Sequence, residues 1–453
     1  MRNKVLPPAL LLSLALFTQA AAATDSQPPR QIIPAHWSAE EAVAFALGNS
    51  PETEIALQQI ASAEAMAQMA AATNYPLVNL NSEYSMTNNA MYSFGNILNQ
   101  GAFDNSIDFN DPGRTDALSL TAQTQYRIYN GGRDTASRRA AEAGVSMAQA
   151  NRVEVHQLLA FEVVKGYEAI LEAQQMLQVR YDAQQAIASS RRVAQERWAS
   201  GDLLKRELLA LQAEEAQAGA SLITAENTLA LARQSFLTLL GLSNQEISLK
   251  KSVDGLQPPP TLDITRRQLY RQIEAQEEQA RAQLNVAAGG KKPTVDAFGN
   301  YEVEYGPELD GDGNSWTAGV KMNYALFDGH STDAAIAAAQ AKVREISARK
   351  KSLLLNLNLE LERARLNLAK ADRRLAVTQK AEEAAAEAAR LSRIQFKEGT
   401  VLASDLIDYE VYLSEARARR LTANAEKIVA LANLRRAAGY GQFETSKTPK
   451  VEN

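Results

Sequence analysis

Two carboxylates, Asp405 and Asp408, stand three residues apart just after the turn that begins at Gly399. In a helix that spacing places both on one face, about 4.5 Å apart along the axis. Such a pair can move protons, hold cations, or simply complement the positive end of a helix. Proton transfer needs a substrate cleft, and no stretch of the chain supplies one. Glu207 takes the matching place after an earlier turn at Gly201, with Lys205 and Arg206 beside it. Other chemistries lack their residues. His36, His156 and His330 are far apart and show no metal-ligand spacing. With no cysteine, the chain has no disulfide, thiolate site or cysteine-linked lipid. Gly131-Gly132 follows a strand pattern and opens a helix, but the other glycines of a dinucleotide fingerprint are missing. We therefore expect no catalytic residues, no metal and no cofactor. The formal charge of −5 and the absence of a basic block exclude nucleic acid as a partner.

The elements carrying these acids are long helices. The segments 132–199 and 330–398 contain no proline and are rich in alanine and charge. Each is about 68 residues, roughly 100 Å of helix. Gly201 and Gly399 read as C-caps, where a positive φ is easily reached. Ser404 reads as the next N-cap, followed by a returning helix to 438. This unit occurs twice at a fixed offset of 198 residues: Tyr129-Asn130-Gly131 recurs as Phe327-Asp328-Gly329, Gly201 as Gly399, and Gly241 as Gly439. A constant offset marks a duplicated unit without insertions. Leu354, Leu357, Leu361, Ala364, Leu368, Ala371 and Leu375 form a heptad seam, and Leu159, Val163, Ile170, Ala173 and Leu177 a looser first-repeat version.

Before each long helix the hydrophobic period falls from 3.6 to 2. Val78, Leu80, Tyr84 and Met86 alternate with Asn79, Asn81 and Glu83. Leu118, Leu120, Ala122, Tyr126 and Ile128 alternate with Thr121, Gln123 and Gln125. The second repeat does likewise, with Val295, Ala297, Tyr301 and Val303 in one strand and Trp316, Ala318, Val320, Met322, Tyr324 and Leu326 in the other. These are four amphipathic strands, suited to a soluble sandwich or to a membrane barrel with lipid on the apolar face. Four strands cannot close a barrel in lipid, so the barrel reading requires pooling between chains. The loop 87–115 carries Met91, Tyr92, Phe94, Ile97, Leu98 and Phe103, and is expected to pack against the rest of the chain.

The domain reading is an export signal at 1–23, with Arg2 and Lys4 before a short apolar run and Ala21-Ala22-Ala23 at the cleavage site. A first repeat spans 24–241, comprising a helix capped by Ser38 and Glu41, a β-hairpin at 77–128 and a helical hairpin at 132–240. A non-helical connector follows at 242–262, containing Pro258-Pro259-Pro260. The second repeat spans 263–439, with a β-hairpin at 294–326 and a helical hairpin at 330–438. A polar, disordered tail is expected at 440–453.

From about Ser38 to Gly439 the chain resembles the TolC family of outer-membrane efflux and secretion ducts. The doubled strand–strand–helix–helix order carries the resemblance, with Asn49-Ser50-Pro51, Tyr129-Asn130-Gly131-Gly132-Arg133, and Gly399 followed by Ser404-Asp405-Leu406-Ile407-Asp408. It implies a membrane β-barrel joined to a long α-helical coiled-coil barrel. In that arrangement a homotrimer builds a twelve-strand barrel in outer-membrane lipid and a twelve-helix periplasmic tunnel. The function implied is a passive exit duct of a tripartite efflux system, with a periplasmic adaptor and an inner-membrane transporter. The loop around Phe94-Gly95-Asn96 is similar to members serving resistance-nodulation-division pumps. A protein-secretion duct of the same family and a cell-surface structural coiled coil are the alternatives. The resemblance makes Asp405 and Asp408, with Glu207, the acids that narrow the tip. It assigns adaptor docking to the tips, at Gly201, Leu204, Gly399 and Leu402. Phe396 and Val401 stand where the family's best-known member has a tyrosine and an arginine that lock the tip, so Arg206 or Lys205 is the expected alternative partner of an acid.

Overall fold

The computed structural model describes residues 36–243 and 245–444, so the expected export signal and residues 445–453 lie outside the described residues. The first helix, α1 (Ala39–Asn49), starts at Ser38. The Ser38 hydroxyl accepts from the Glu41 N–H at 3.2 Å and the Glu41 carboxylate accepts from the Ser38 N–H at 2.7 Å. Helix α2 (Pro51–Ala71) begins with proline in its first turn, where the missing N–H costs nothing. There follow β1 (Leu77–Thr87), α3 (Ala90–Asn99), β2 (Thr115–Tyr129), α4 (Arg133–Ala199), α5 (Lys205–Leu239), α6 (Gln268–Gly289), β3 (Thr294–Gly306), β4 (Gly311–Asn323), α7 (Ser331–Glu398) and α8 (Ala403–Ala437). The repeat is kept to the residue: helices start at 133 and 331, restart at 205 and 403, and end at 239 and 437.

Helices α4 and α7 are the long struts. Nearer the sheet α4 packs with α2 and α6, and nearer the turns with α5 and α8, whereas α7 packs with α6 and then α8. Two junctions let short helices act as continuations of one another. The end of α5 meets the start of α2, and the end of α8 meets the turn before α6. A Cβ at Gly241 would come within 2.8 Å of the Asn49 carbonyl oxygen, and one at Gly439 within 2.9 Å of the Arg266 carbonyl carbon. Both glycines also hold a positive φ, so no other residue fits either demand.

The heptad seam is buried as expected. Leu357, Leu361, Ala364 and Ala371 are inside, and the stripe continues through Ala385, Ala389, Ser392 and Phe396. Alanine on α8 permits close approach on two sides, Ala416 clustering with Ala385 and Ala389 of α7 and Ala432 with Trp37 and the buried residues of α4. At mid-length the connector runs beside the helices. It pairs with Trp37 through Lys250 and Ser248, and the Tyr167 hydroxyl lies 2.8 Å from both the Trp37 and Lys250 carbonyl oxygens.

Several sequence expectations need correction. The segment 440–444 is not a loose tail. Tyr440 and Gln442 are buried, and Arg435 donates to the Gly441, Gln257 and Glu444 carbonyls, which pins the end of the chain to the connector. The loop 87–115 packs as anticipated but contains α3, capped by Asn89. The Gln100 amide is buried and donates to the Asp116 carbonyl and the Glu304 carboxylate, each at 2.8 Å. Phe94, Phe103 and Phe109 close on one another above it. Strand β4 ends at Asn323, opposite Thr294, leaving Tyr324 and Leu326 beyond it. The residue before Thr294 is Pro293, which has no N–H to extend the ladder. Helix α8 starts at Ala403, not after Ser404.

The sheet order is β1-β2-β3-β4, all antiparallel. Its register aligns the four apolar sets on one face: Leu80 faces Ala122, Ala122 faces Tyr301, and Tyr301 faces Trp316. That face is open, with Trp316, Val320 and Met322 at 75%, 67% and 68% exposure. On the other face Asn79, Gln123 and Asn300 align with Thr317. A run of open apolar side chains on a regular sheet is the pattern of a lipid-facing wall. Val320→Arg is expected to cost about 2–4 kcal/mol near the bilayer midplane, whereas Asn323→Arg, on the polar face, is tolerated. The yield of assembled protein in membranes compares the two, and equal impairment contradicts this register.

One buried group works against stability. Glu168 on α4 is 4% exposed and has no hydrogen bond or ion pair among the described residues. Burial, with the nearby Glu172 charge, pushes its carboxyl up to about 7. The unfolded chain loses this proton near the ordinary value of 4.5 while the folded chain keeps it. Stability therefore falls as pH rises between these values, by about 3 kcal/mol in total. Glu168→Gln should raise the thermal midpoint above pH 7 and leave it little changed near pH 4.5. A pH series of unfolding curves checks this.

Candidate functional site

The end of the molecule opposite the sheet is built from two turns of the same design. At the first, the Gly201 N–H donates to the Trp198 carbonyl at 3.1 Å and the Asp202 N–H to the Arg197 carbonyl at 2.8 Å. At the second, the Gly399 N–H donates to Phe396 at 3.1 Å and the Thr400 N–H to Gln395 at 3.0 Å. These nested bonds close the last helical turn and need a left-handed residue, which the φ values of 86° and 81° at Gly201 and Gly399 supply. Both expected caps are in place. Beneath the turns, Ala194, Leu203, Leu208, Leu211, Phe396, Ala403 and Leu406 form one buried cluster, with Val401 against it. The cluster joins the two hairpins.

Leu204 and Leu402 occupy matching places, each the extended residue before a returning helix, and both are about half exposed. They project as a pair of apolar points at the extremity.

The two acids of α8 are exposed. At 100° per residue they lie on the side of the helix away from Ala403, Leu406 and Glu410, which face the interior. Tyr409 and Tyr412 extend the same stripe. Asp405 has a local task as well. Its carboxylate accepts from the Leu402 N–H at 3.4 Å, capping the helix in the place expected of Ser404. Asp408 makes no hydrogen bond or ion pair among the described residues. Glu207 is half-buried in the first turn of α5.

Arg206 and Lys205 are exposed and form no ion pair among the described residues. The basic residue at work within the chain is Arg197, which belongs to no motif of the sequence. Its guanidinium donates to the Phe396 carbonyl at 2.8 Å and to the Asp202 carbonyl at 3.3 Å, and lies over the Phe396 ring at 5.4 Å. It therefore ties the first turn to the end of α7. Only its place in the last turn of a helix hints at this in the sequence. Deeper in the wall, Arg393 grips buried Glu410, and Arg180 donates to the Ser414 hydroxyl at 3.0 Å.

At the opposite end the polar sheet face forms a hydrophilic wall. Asn79, Gln123, Gln125, Asp296, Asn300 and Lys321 line a depression of about 500 Å³, with Phe298 lying across Gly319. Arg127 bridges Asp134 and Asp296 where strand turns to helix.

A sheet with one open apolar face and a polar reverse, joined to struts about 100 Å long that end in an acid-bearing tip, has the pattern of a membrane-duct subunit. The family model for outer membrane efflux proteins matches residues 43–242 and 264–440, and the chain belongs to that family. It is accordingly an efflux channel of the Gram-negative outer membrane with a periplasmic extension. Among curated proteins it is similar to the cobalt-zinc-cadmium resistance protein CzcC of Cupriavidus metallidurans, 24% identical over 311 residues that cover 68% of this chain and 74% of that one. Its fold is similar to that of the outer membrane protein VceC of Vibrio cholerae, with a TM-score of 0.75 and 18% identity over 90% of this chain and 97% of the other. The open state of the MtrE channel of Neisseria gonorrhoeae gives a TM-score of 0.74 and 19% identity, over 90% and 91%.

The Arg197 latch has a measurable consequence. Arg197→Ala should accelerate amide exchange in both turns together, by about tenfold, since it removes charge-assisted bonds to both. Arg206→Ala should change neither turn. Acceleration confined to the first turn would contradict the link.

Proposed function

We propose that three copies of this chain close into a duct, with twelve strands in the outer membrane and twelve helices in the periplasm. The observation that carries this is the sheet: β1 and β4 each have one neighbour, and the apolar face is open. Unpaired strand edges in lipid leave backbone groups unsatisfied, so β4 of one chain must pair with β1 of the next. The apolar residues left outward on the helices, such as Leu355, Leu366 and Val377 on α7 and Ile223 and Leu231 on α5, then meet the neighbouring chain. The duct is passive and not an enzyme. A periplasmic adaptor docks on the tips at Gly201, Leu204, Gly399 and Leu402, and an inner-membrane transporter of the resistance-nodulation-division type supplies the energy. The similarity to a cobalt-zinc-cadmium resistance protein makes divalent transition-metal ions the first cargo to test.

Within this assembly Asp405 and Asp408 form two stacked rings of three carboxylates each at the periplasmic mouth, with Glu207 beside them. Arg206 pairs with an acid of an adjacent chain. Support comes from the exposure of both aspartates on the side of α8 away from its packed face. Two such charges 8 Å apart repel by about 2 kcal/mol at an effective dielectric near 20, so the rings favour bound cations. The double variant Asp405→Asn, Asp408→Asn should lose cation preference and block by a trivalent cation in planar-bilayer recordings. Asparagine still accepts from the Leu402 N–H, so the cap survives. Selectivity and block that persist without the six charges would reduce both acids to helix-capping residues.

A further inference from the structure

Glu168 lines a groove that none of the functions above uses. The groove is formed by α4, α7 and α8 of a single chain and has a volume of about 590 Å³. Phe161, Ala169, Ala371, Val429 and Ala430 supply its apolar walls. One oxygen of Glu168 is shut from solvent and has no hydrogen-bond partner. A buried, unpaired carboxylate is costly, and either a proton or a cationic partner relieves the cost.

The other charged groups facing the groove leave that carboxylate unserved. Lys165 is held by Glu162 at 3.0 Å, and Glu426 by Arg374 at 2.8 Å. Glu172 accepts from the Thr422 hydroxyl at 2.7 Å. Lys370, on the α7 wall, is exposed and forms no ion pair among the described residues. The remaining demand is for a cation with N–H donors.

We propose that the groove binds an amphipathic organic ammonium ion, its charged nitrogen against Glu168 and its apolar body along Val429 and Ala430. A metal ion fits less well. Among the described residues no three His, Cys, Asp or Glu side chains are grouped to hold one, and the walls are mainly apolar. An organic ammonium supplies N–H donors to the Glu168 carboxylate through its oxygen that is not shut from solvent, and covers the hydrocarbon around it.

The groove opens on the side of the wall opposite the connector. On α8 the residues meeting the connector and 440–444 are Ala432 and Arg435, whereas Val429, Ala430 and Asn433 face the groove. In the proposed trimer this is the side toward the lumen, and that placement alone rests on the trimeric reading. The groove itself is complete within one chain. Cations moving along the duct would meet three such sites about midway.

The test uses the full chain in lipid nanodiscs and dansylcadaverine, a fluorescent primary amine. Saturable binding of one dye per chain at pH 8 is expected, whether or not the particle is a trimer. Glu168→Gln, which keeps the shape of the side chain, should weaken binding by roughly ten- to a hundredfold. The N-acetylated dye, which has no charge, should not bind the site. Ala169→Leu, at an exposed position, should block the groove without altering the oligomer. Binding should also weaken from pH 8 to pH 6, because protonation removes the charge on Glu168 while the dye stays charged. Equal affinity for the Gln variant or the acetylated dye overturns the proposal. Competitive displacement of the dye by Zn2+ alone overturns it in favour of a metal site. Absence of trimers with dye binding intact would count against the duct assembly and not against this site.

Discussion

Backbone hydrogen bonding at the sheet edges constrains the whole molecule. A four-stranded sheet with an apolar face can enter lipid only if its two outer strands find partners. No side-chain interaction substitutes for those bonds, because hydrocarbon offers no donor or acceptor. The proposed ring of three chains answers that demand, and it sets the number of helices that continue from the strands into the periplasm. Helices this long hold together through seams of alanine and leucine, joined at mid-length by one buried cluster around Trp37, Tyr167 and Phe236. The seams act in pairs, α4 with α5 and α7 with α8, before any neighbour arrives.

Charge is placed sparingly within this frame. Arg267 is almost fully buried and joins Glu154 on α4 to Glu360 on α7, at 2.9 Å and 3.2 Å. Arg435 satisfies three backbone carbonyls where the chain end meets the connector. Both arginines lie where the short helices meet end to end, and there the wall is no longer a uniform seam. A planar guanidinium suits such junctions because it serves several acceptors from different segments at once. Arg197 repeats that use at the tip. Glu168 departs from the pattern, as a charge-bearing group with no partner.

Much of this is legible in the order of the residues. The 198-residue offset predicts helix ends to within a residue or two, since an insertion would rotate every later side chain by about 100°. The alternation along the strands fixes which residues share a face, since the period of 2 leaves only two choices and one of them mixes polar with apolar. The differences between expectation and structure fall at the ends of elements. Ser404 has the right chemistry for an N-cap, but α8 begins one residue before it and Asp405 provides the cap. Tyr324 and Leu326 keep the strand alternation after their partner strand has run out.

By itself the sequence determined the repeat, the faces of strands and helices, and the glycine-capped turns, all properties of neighbouring residues. It also placed Asp405, Asp408 and Glu207 at the start of returning helices. Only the tertiary structure decided which distant groups meet. Arg197 reaches the Phe396 carbonyl across 199 positions. Gln100 reaches Glu304 across 204 positions. Burial of Glu168, with nothing to pair it, is equally invisible in its neighbours Tyr167 and Ala169. Periodicity reports which side of an element turns inward. What waits on that side depends on the packing of other segments, which local spacing does not encode.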